Sequence, residues 1–131
     1  VLKAARSNIK VIGIEPAGAA MLSGKDWSPH KIQGWTPDFI PGILEPDVID
    51  NMITVTDQEA LEVARRLAQE EGIFCGISSG ATLAGALKAA QSAPQGSTFC
   101  IMLPDTGERY LSTPLFENIS EDSDDDWLSK Q

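Results

Sequence analysis

The chain predicts an α/β fold, an open, mostly parallel sheet flanked by helices, and three stretches carry that expectation. "IKVIGIEP", Ile9 to Pro16, is a short run of branched apolar residues closed by proline. "TDQEALEVARRLAQEEG", Thr56 to Gly72, has a helical apolar period with a start signal and a stop signal. After it, "GIFCGI", "SGATLAGALKAAQ" and "STFCIMLP" continue the alternation of strand-like and helix-like segments. That alternation is the signature of βαβ units and a parallel sheet.

"VLKAARSN", Val1 to Asn8, reads as the last turns of a helix with Asn8 as its stop, so the chain is expected to be a piece of something longer. Ile9 to Pro16 has no polar alternation, the pattern of a strand buried on both faces. Ala17 to Pro46 shows no sustained period but many Gly, Pro and Trp residues, and excursions of that length inside a domain are usually functional. "MITV", Met52 to Val55, is a second strand.

In the next segment Thr56 caps a helix and Glu59 reaches back, a capping box that satisfies otherwise unpaired N–H groups. Ala60, Val63, Ala64 and Leu67 form its apolar face, and Gly72 takes the left-handed conformation that ends it, giving a helix from about Asp57 to Glu71. "GIFCGI" is then a short strand, the Ala- and Gly-rich segment from Ser79 a helix able to pack closely on a sheet, and Ser97 to Pro104 a further strand. In open α/β sheets ligands lie beyond the carboxyl ends of the strands, near helix N-termini. "GISSG" and "LPDTGERY" both stand at such ends and are expected to face one site.

At 131 residues with 42% hydrophobic residues, the chain has the material for one globular core. A formal charge of −9 argues against nucleic-acid binding. The last fifteen residues, Glu117 to Gln131, hold 6 of the 19 acids against Lys130 alone. Self-repulsion predicts a solvated tail there, with Trp127 and Leu128 its only docking features. Cys75 and Cys100 each sit in an apolar run without CxxC spacing, and the chain has one histidine, so buried reduced thiols are expected and no metal site. No apolar run reaches the length of a membrane span and no signal peptide opens the chain, which fits a reducing, soluble compartment.

Several residues are candidates for chemistry. Ser78-Ser79-Gly80 stands where a helix begins, so its unpaired N–H groups and dipole suit an anion or a polar ring atom. The structural alternative is that one serine is an N-cap and Gly80 a close-packing residue. Asp105, Thr106 and Gly107 are turn formers, Arg109 is expected in a structural salt bridge, and His30 and Lys31 have no evident partner. No phosphate-loop motif and no Ser/His/Asp set is present.

Together and in this order, "HKIQGWTPDFIP", "EEGIFCGISSGA" and "LPDTGERYLSTPLF" resemble the C-terminal part of cysteine synthase, or O-acetylserine sulfhydrylase, in the β-family of pyridoxal-phosphate enzymes. The resemblance covers Val1 to about Phe116 and implies the C-terminal portion of a tryptophan-synthase-β-like pyridoxal-phosphate domain, with 117–131 an acidic tail. It implies that Ser78 gives its hydroxyl to the pyridine nitrogen of pyridoxal 5'-phosphate. A neutral serine there leaves the nitrogen largely unprotonated, where a carboxylate would make the ring a stronger electron sink. The loop matching "KIQGWTPDF" lies at the mouth of the family's active site, with Gly34 close to the substrate. The usual sequence is nearer to G-I-G-A-G-F, so Trp35, Thr36 and Pro37 depart from it, either as a local variant or as a change in the acyl group or sulfur donor accepted.

The family's reaction makes L-cysteine from O-acetyl-L-serine and sulfide by β-replacement, in a homodimer that also pairs with serine acetyltransferase, in cytoplasm or plastid. Its Schiff-base lysine, its asparagine loop and its phosphate loop all precede the region matched here. The resemblance therefore implies no catalytic residue in this chain and no activity for the chain alone. Other relatives, cystathionine β-synthase and O-phosphoserine sulfhydrylase, are alternatives, as is a truncated paralogue serving as an interaction module for an intact subunit or for serine acetyltransferase.

Overall fold

A computed structural model describes residues 1–117 and 128–129. The acidic tail expected from residue 117 onward lies almost wholly outside the described residues. Helix α1, Leu2–Ala5, ends at Arg6, which is already extended. Strand β1, Ile12–Pro16, runs parallel to β2, Asn51–Val55, with Ile14 opposite Ile53 and Pro16 opposite Val55. Asp50 sets this register. Its backbone N–H donates to the Val11 carbonyl at 2.8 Å, and its carboxylate accepts from Val11 N at 2.7 Å and pairs with Lys3 at 2.8 Å. The Lys3 hydrogen bond, seconded by Val11, holds the Asp50 carboxyl below its ordinary range.

Only the end of β1, Glu15 and Pro16, is buried, where a strand covered on both faces was expected; Ile12 to Ile14 are half-buried. The Glu15 carboxyl group is accommodated in that burial because the excursion behind it supplies donors: Leu22 N at 2.7 Å, Ser23 N at 3.1 Å and Ser23 Oγ at 2.7 Å. From residue 17 to residue 46 the chain forms turns without a regular helix or strand before a short 3-10 turn, Pro46–Val48.

Helix α2, Asp57–Glu71, has the expected ends. Thr56 Oγ1 accepts from Glu59 N at 3.2 Å, Glu59 Oε2 accepts from Thr56 N at 2.8 Å, and Gly72 closes the helix at φ 70°. Its buried face is Ala60, Leu61, Ala64 and Leu67, with Val63 only partly covered. Helix α3, Ile77–Ala90, begins two residues earlier than the sequence predicts.

The small residues of α3 do what their size allows. A Cβ on Gly80 would fall on the Ala60 carbonyl oxygen and 2.7 Å from both Ala64 Cβ and Ala64 N, and one on Gly85 would meet the side chain of Ile14. α3 is thus pressed between α2 and the strands. Lys88 fastens the same layers at the far end, donating to the Thr54 carbonyl at 2.9 Å and pairing with Glu59 at 2.7 Å. That hydrogen bond from Lys88, with the cap bonds to Thr56, lowers the Glu59 pKa.

Two expected strands are not strands. Among the described residues the only pairing within 72–77 is an antiparallel bridge between Cys75 and Thr106, and 97–104 has no ladder, so the described sheet has two strands rather than four. A strand needs a neighbour to receive its backbone groups as well as the right composition. Among the described residues no strand pairs with 97–104, and Phe99, Met102 and Leu103 stand exposed. Cys100 is exposed for the same reason, which corrects its placement in the core, while Cys75 is buried as expected.

The core gathers Val55, the buried face of α2, Ile77, Ala81, Ala84, Tyr110, Leu115 and Phe116. Arg65 draws the 114–116 segment onto α2 by donating to the carbonyls of Pro114 and Leu115, each at 2.6 Å, and the Phe116 ring packs on Phe74 at 5.1 Å between centroids.

Replacing Gly80 by alanine should force α2 and α3 apart and cost about 2–3 kcal/mol of stability, read from the urea unfolding midpoint. An unchanged midpoint would show that the two helices do not meet at this contact.

Candidate functional site

The first turn of α3 is the floor of the site. Gly76 is its N-cap, with no side-chain cap, so neither serine serves as the cap that the structural alternative required. Ser78 is 5% exposed. Its carbonyl accepts from Thr82 Oγ1 at 2.8 Å, whereas its hydroxyl has no partner among the described residues.

The segment 104–110 crosses in front of this turn. The Asp105 carbonyl accepts from Gly76 N at 3.3 Å and lies 3.5 Å from Ser79 Oγ, and Gly107 N donates to the Phe74 carbonyl at 3.2 Å. A short 3-10 turn, Gly107–Tyr110, then sends the Tyr110 ring back inside. Its hydroxyl donates to Asp105 Oδ2 at 2.5 Å, while Asp105 Oδ1 is buried without a hydrogen-bond donor.

The third wall comes from the long excursion. Gly34 has φ 82° and Thr36 φ 38°, the latter the one positive φ at a non-glycine residue among the described residues. Trp27 Nε1 donates to the Thr36 carbonyl at 3.0 Å and His30 Nε2 lies 3.5 Å from the same oxygen, so the turn is braced from behind. Gln33, Gly34, Trp35, Ser78, Pro104, Asp105 and Tyr110 enclose a cleft of about 310 Å³. That is the low end of the range for small-molecule sites, ~300–1,000 Å³.

Ser78 and Gly34 therefore meet, 44 residues apart in sequence, and "GISSG" and "LPDTGERY" face one cleft as expected. His30 and Lys31 do not line it; Lys31 is exposed and its backbone N–H donates to Asp57 Oδ2 at 2.9 Å. Arg109 is exposed and forms no ion pair among the described residues, against the salt bridge expected for it. Asp105 and Tyr110 are what the sequence reading missed. Their spacing looks like an ordinary turn, and the available signal was a lone tyrosine five residues after an aspartate at a strand end.

Burial, the hydrogen bond to Asp105 and its charge push the Tyr110 phenol up to about 12. Cys75, behind the cleft, is also raised, chiefly by burial, and stays a protonated thiol.

The cleft fits the ring of a planar cofactor: the Ser78 hydroxyl on the floor, the flat side chains of Trp35 and Pro104, and the bare backbone of Gly34. Among the described residues neither a lysine nor a Gly/Thr-rich cradle for a phosphate lines it. Fold and site agree with sequence similarity here. The family described as pyridoxal-phosphate dependent enzymes matches residues 1–105, and the chain belongs to that family. Enzymes of this family use pyridoxal phosphate. Over 129 residues the chain is 54% identical to O-ureido-L-serine synthase of Streptomyces lavendulae, covering 98% of this chain and 40% of that protein. It is 47% identical over 116 residues to cysteine synthase of Staphylococcus aureus, covering 88% and 37%. A crystal structure of cysteine synthase from Entamoeba histolytica superposes with a TM-score of 0.86 at 41% identity, over 93% of this chain and 36% of that one. The chain spans about two fifths of the length of the curated relatives it matches. Among the described residues no helix is long and apolar enough to cross a membrane.

Tyr110 gives this corner a pH signature. Its folded pKa of about 12 lies above the ordinary 10.0, so the stability it contributes is complete below pH 10.0 and is lost as pH rises through 12. It is the chain's only tyrosine, so ultraviolet titration reads it directly. Asp105→Asn should bring ionisation part of the way back toward 10.0. A phenol that ionises at the ordinary value in the folded parent would refute the Asp105 contact.

Proposed function

We propose that this chain forms the C-terminal part of a pyridoxal-phosphate enzyme that performs β-replacement on an O-acylated serine, with O-acetyl-L-serine and sulfide giving L-cysteine as the leading reaction. The observation that carries the reading is the cleft in which Ser78 on the first turn of α3 meets Gly34 on the excursion. Bound pyridoxal phosphate supplies the electron withdrawal that loosens the α-proton and the β-substituent of an amino acid. Ser78 would hold the ring nitrogen end through its hydroxyl. Gly34, with no side chain and a left-handed backbone, leaves room on the substrate side, and Trp35 and Pro104 would flank the ring.

The covalent anchor for the cofactor comes from outside these residues. Lys3 is engaged with Asp50, Lys88 with Glu59 and Thr54, and no lysine lines the cleft among the described residues. Chain 1–131 by itself, mixed with pyridoxal phosphate and reduced with borohydride, should give no stoichiometric pyridoxyl adduct. One lysine labelled at full occupancy in the mass spectrum would overturn that placement.

A second reading concerns the nucleophile. The 54% identity to O-ureido-L-serine synthase, over nearly the whole chain, favours a ureido-bearing oxygen nucleophile in place of sulfide. The departures from the cysteine synthase pattern at Trp35, Thr36 and Pro37 fall on the cleft wall or beside it. Offering the cofactor-loaded protein O-acetyl-L-serine with sulfide and hydroxyurea in competition separates the two. Mainly L-cysteine supports the leading reading, mainly O-ureido-L-serine the second, and neither product removes both.

A further inference from the structure

We propose that Trp27 is a positioning residue for the cleft: its indole N–H holds the Thr36 carbonyl, and with it the left-handed turn that carries Trp35, so that Trp27 sets how large a second substrate the cleft binds well. This rests on reading the cleft as the substrate side of a pyridoxal-phosphate enzyme and concerns the size of the nucleophile. Trp27 is 41% exposed and does not line the cleft, so its influence on a bound molecule passes through the turn.

The turn needs holding. Gly34 at φ 82° and Thr36 at φ 38° place left-handed backbone on both sides of Trp35. A β-branched residue occupies that region at a disadvantage of about 5- to 150-fold in population. One neutral hydrogen bond returns ~2- to 13-fold, so at the lower end a single donor decides whether the turn keeps this form. Trp27 Nε1 supplies it at 3.0 Å from the Thr36 carbonyl oxygen, whereas His30 Nε2, at 3.5 Å from the same atom, is at the limit of a hydrogen bond.

A brace works only where its own foot is fixed. Ser28, next to Trp27, donates to the Gly18 carbonyl from its backbone N at 3.1 Å and again from its hydroxyl. A Cβ on Gly18 would come within 3.1 Å of that hydroxyl, so the two segments lie close. Ala17 N donates in turn to the Val55 carbonyl at 2.8 Å, at the carboxyl ends of β1 and β2. The indole is therefore anchored to the sheet and not to the turn it holds.

Size decides which nucleophile feels the wall. The cleft is small, about 310 Å³, and Trp35 is part of its lining. Sulfide has a single heavy atom and fits whether or not Trp35 is fixed. A larger nucleophile such as hydroxyurea must pack against the wall, and a wall that has to be ordered on binding weakens it.

The test compares the two nucleophiles in the cofactor-loaded protein carrying these residues. Trp27→Phe keeps a ring and removes the donor. It should raise the KM for hydroxyurea, or its inhibition constant if it is not turned over, about fivefold, while KM and kcat with sulfide stay within about twofold. Adding Thr36→Asn should restore the parent value, since asparagine takes left-handed backbone more readily than threonine. Independently of turnover, the Trp27 indole N–H, assigned by its loss in Trp27→Phe, should exchange with deuterium about tenfold more slowly than a free indole. An indole that exchanges freely, a change shared equally by both nucleophiles, no change, no rescue, or hydroxyurea that neither reacts nor inhibits overturns the proposal while the site reading stands. If Trp27→Phe does not fold, Ser28→Ala, which loosens the anchor, takes its place with the same selective rise expected and an unchanged value overturning. A parent that takes up no pyridoxal phosphate, even with the rest of the protein present, overturns the site reading and this proposal together.

Discussion

The structure depends on how closely α3 can approach its neighbours. Gly80 lets it lie against the Ala60 carbonyl, Gly85 lets it lie against Ile14, and Lys88 bridges to Thr54 and Glu59 at its end. A helix seated so tightly cannot rotate or slide without steric conflict, because packed interiors have little free volume to yield. Its first turn is therefore a fixed platform. Every polar group offered to the cleft floor takes its position from that seating.

The other two walls are fastened to the platform by different means. The 104–110 segment is held by backbone hydrogen bonds at Gly76 and Gly107 and by the Tyr110 ring, which belongs to the core. The Gln33–Thr36 wall is held by the indole of Trp27 and by the burial of Ile32, the largest fully buried side chain of the excursion. A site made of three sequence-distant pieces thus acquires a definite shape without regular structure in two of them. Such preorganisation lowers the ordering cost of binding.

Much of this was legible in the sequence, for reasons that differ by element. α2 was readable to the residue because its signals are local: Thr56, Glu59 and Gly72 fix its ends whatever surrounds it. β1 and β2 were readable as strands, though the covering of their faces was not. The segments 72–77 and 97–104 have strand composition, but pairing depends on a neighbour that composition does not specify. The start of α3 was misplaced because "GIS" lacks an N-cap side chain and the helix begins on bare glycine. In the site, Ser78 and Gly34 were legible through family resemblance, and Asp105 and Tyr110 were not. A turn sequence does not reveal that its carboxylate faces inward, and that information exists only once Gly76 and Tyr110 are folded around it.

Thr36 has a further consequence. A β-branched residue at φ 38° sits in a region that costs of order 1–3 kcal/mol to occupy, and asparagine or glycine would occupy it with less strain. Because Thr36 follows Trp35 of the cleft wall, engineering this protein for heat resistance at residue 36 would also act on the shape of its binding cleft.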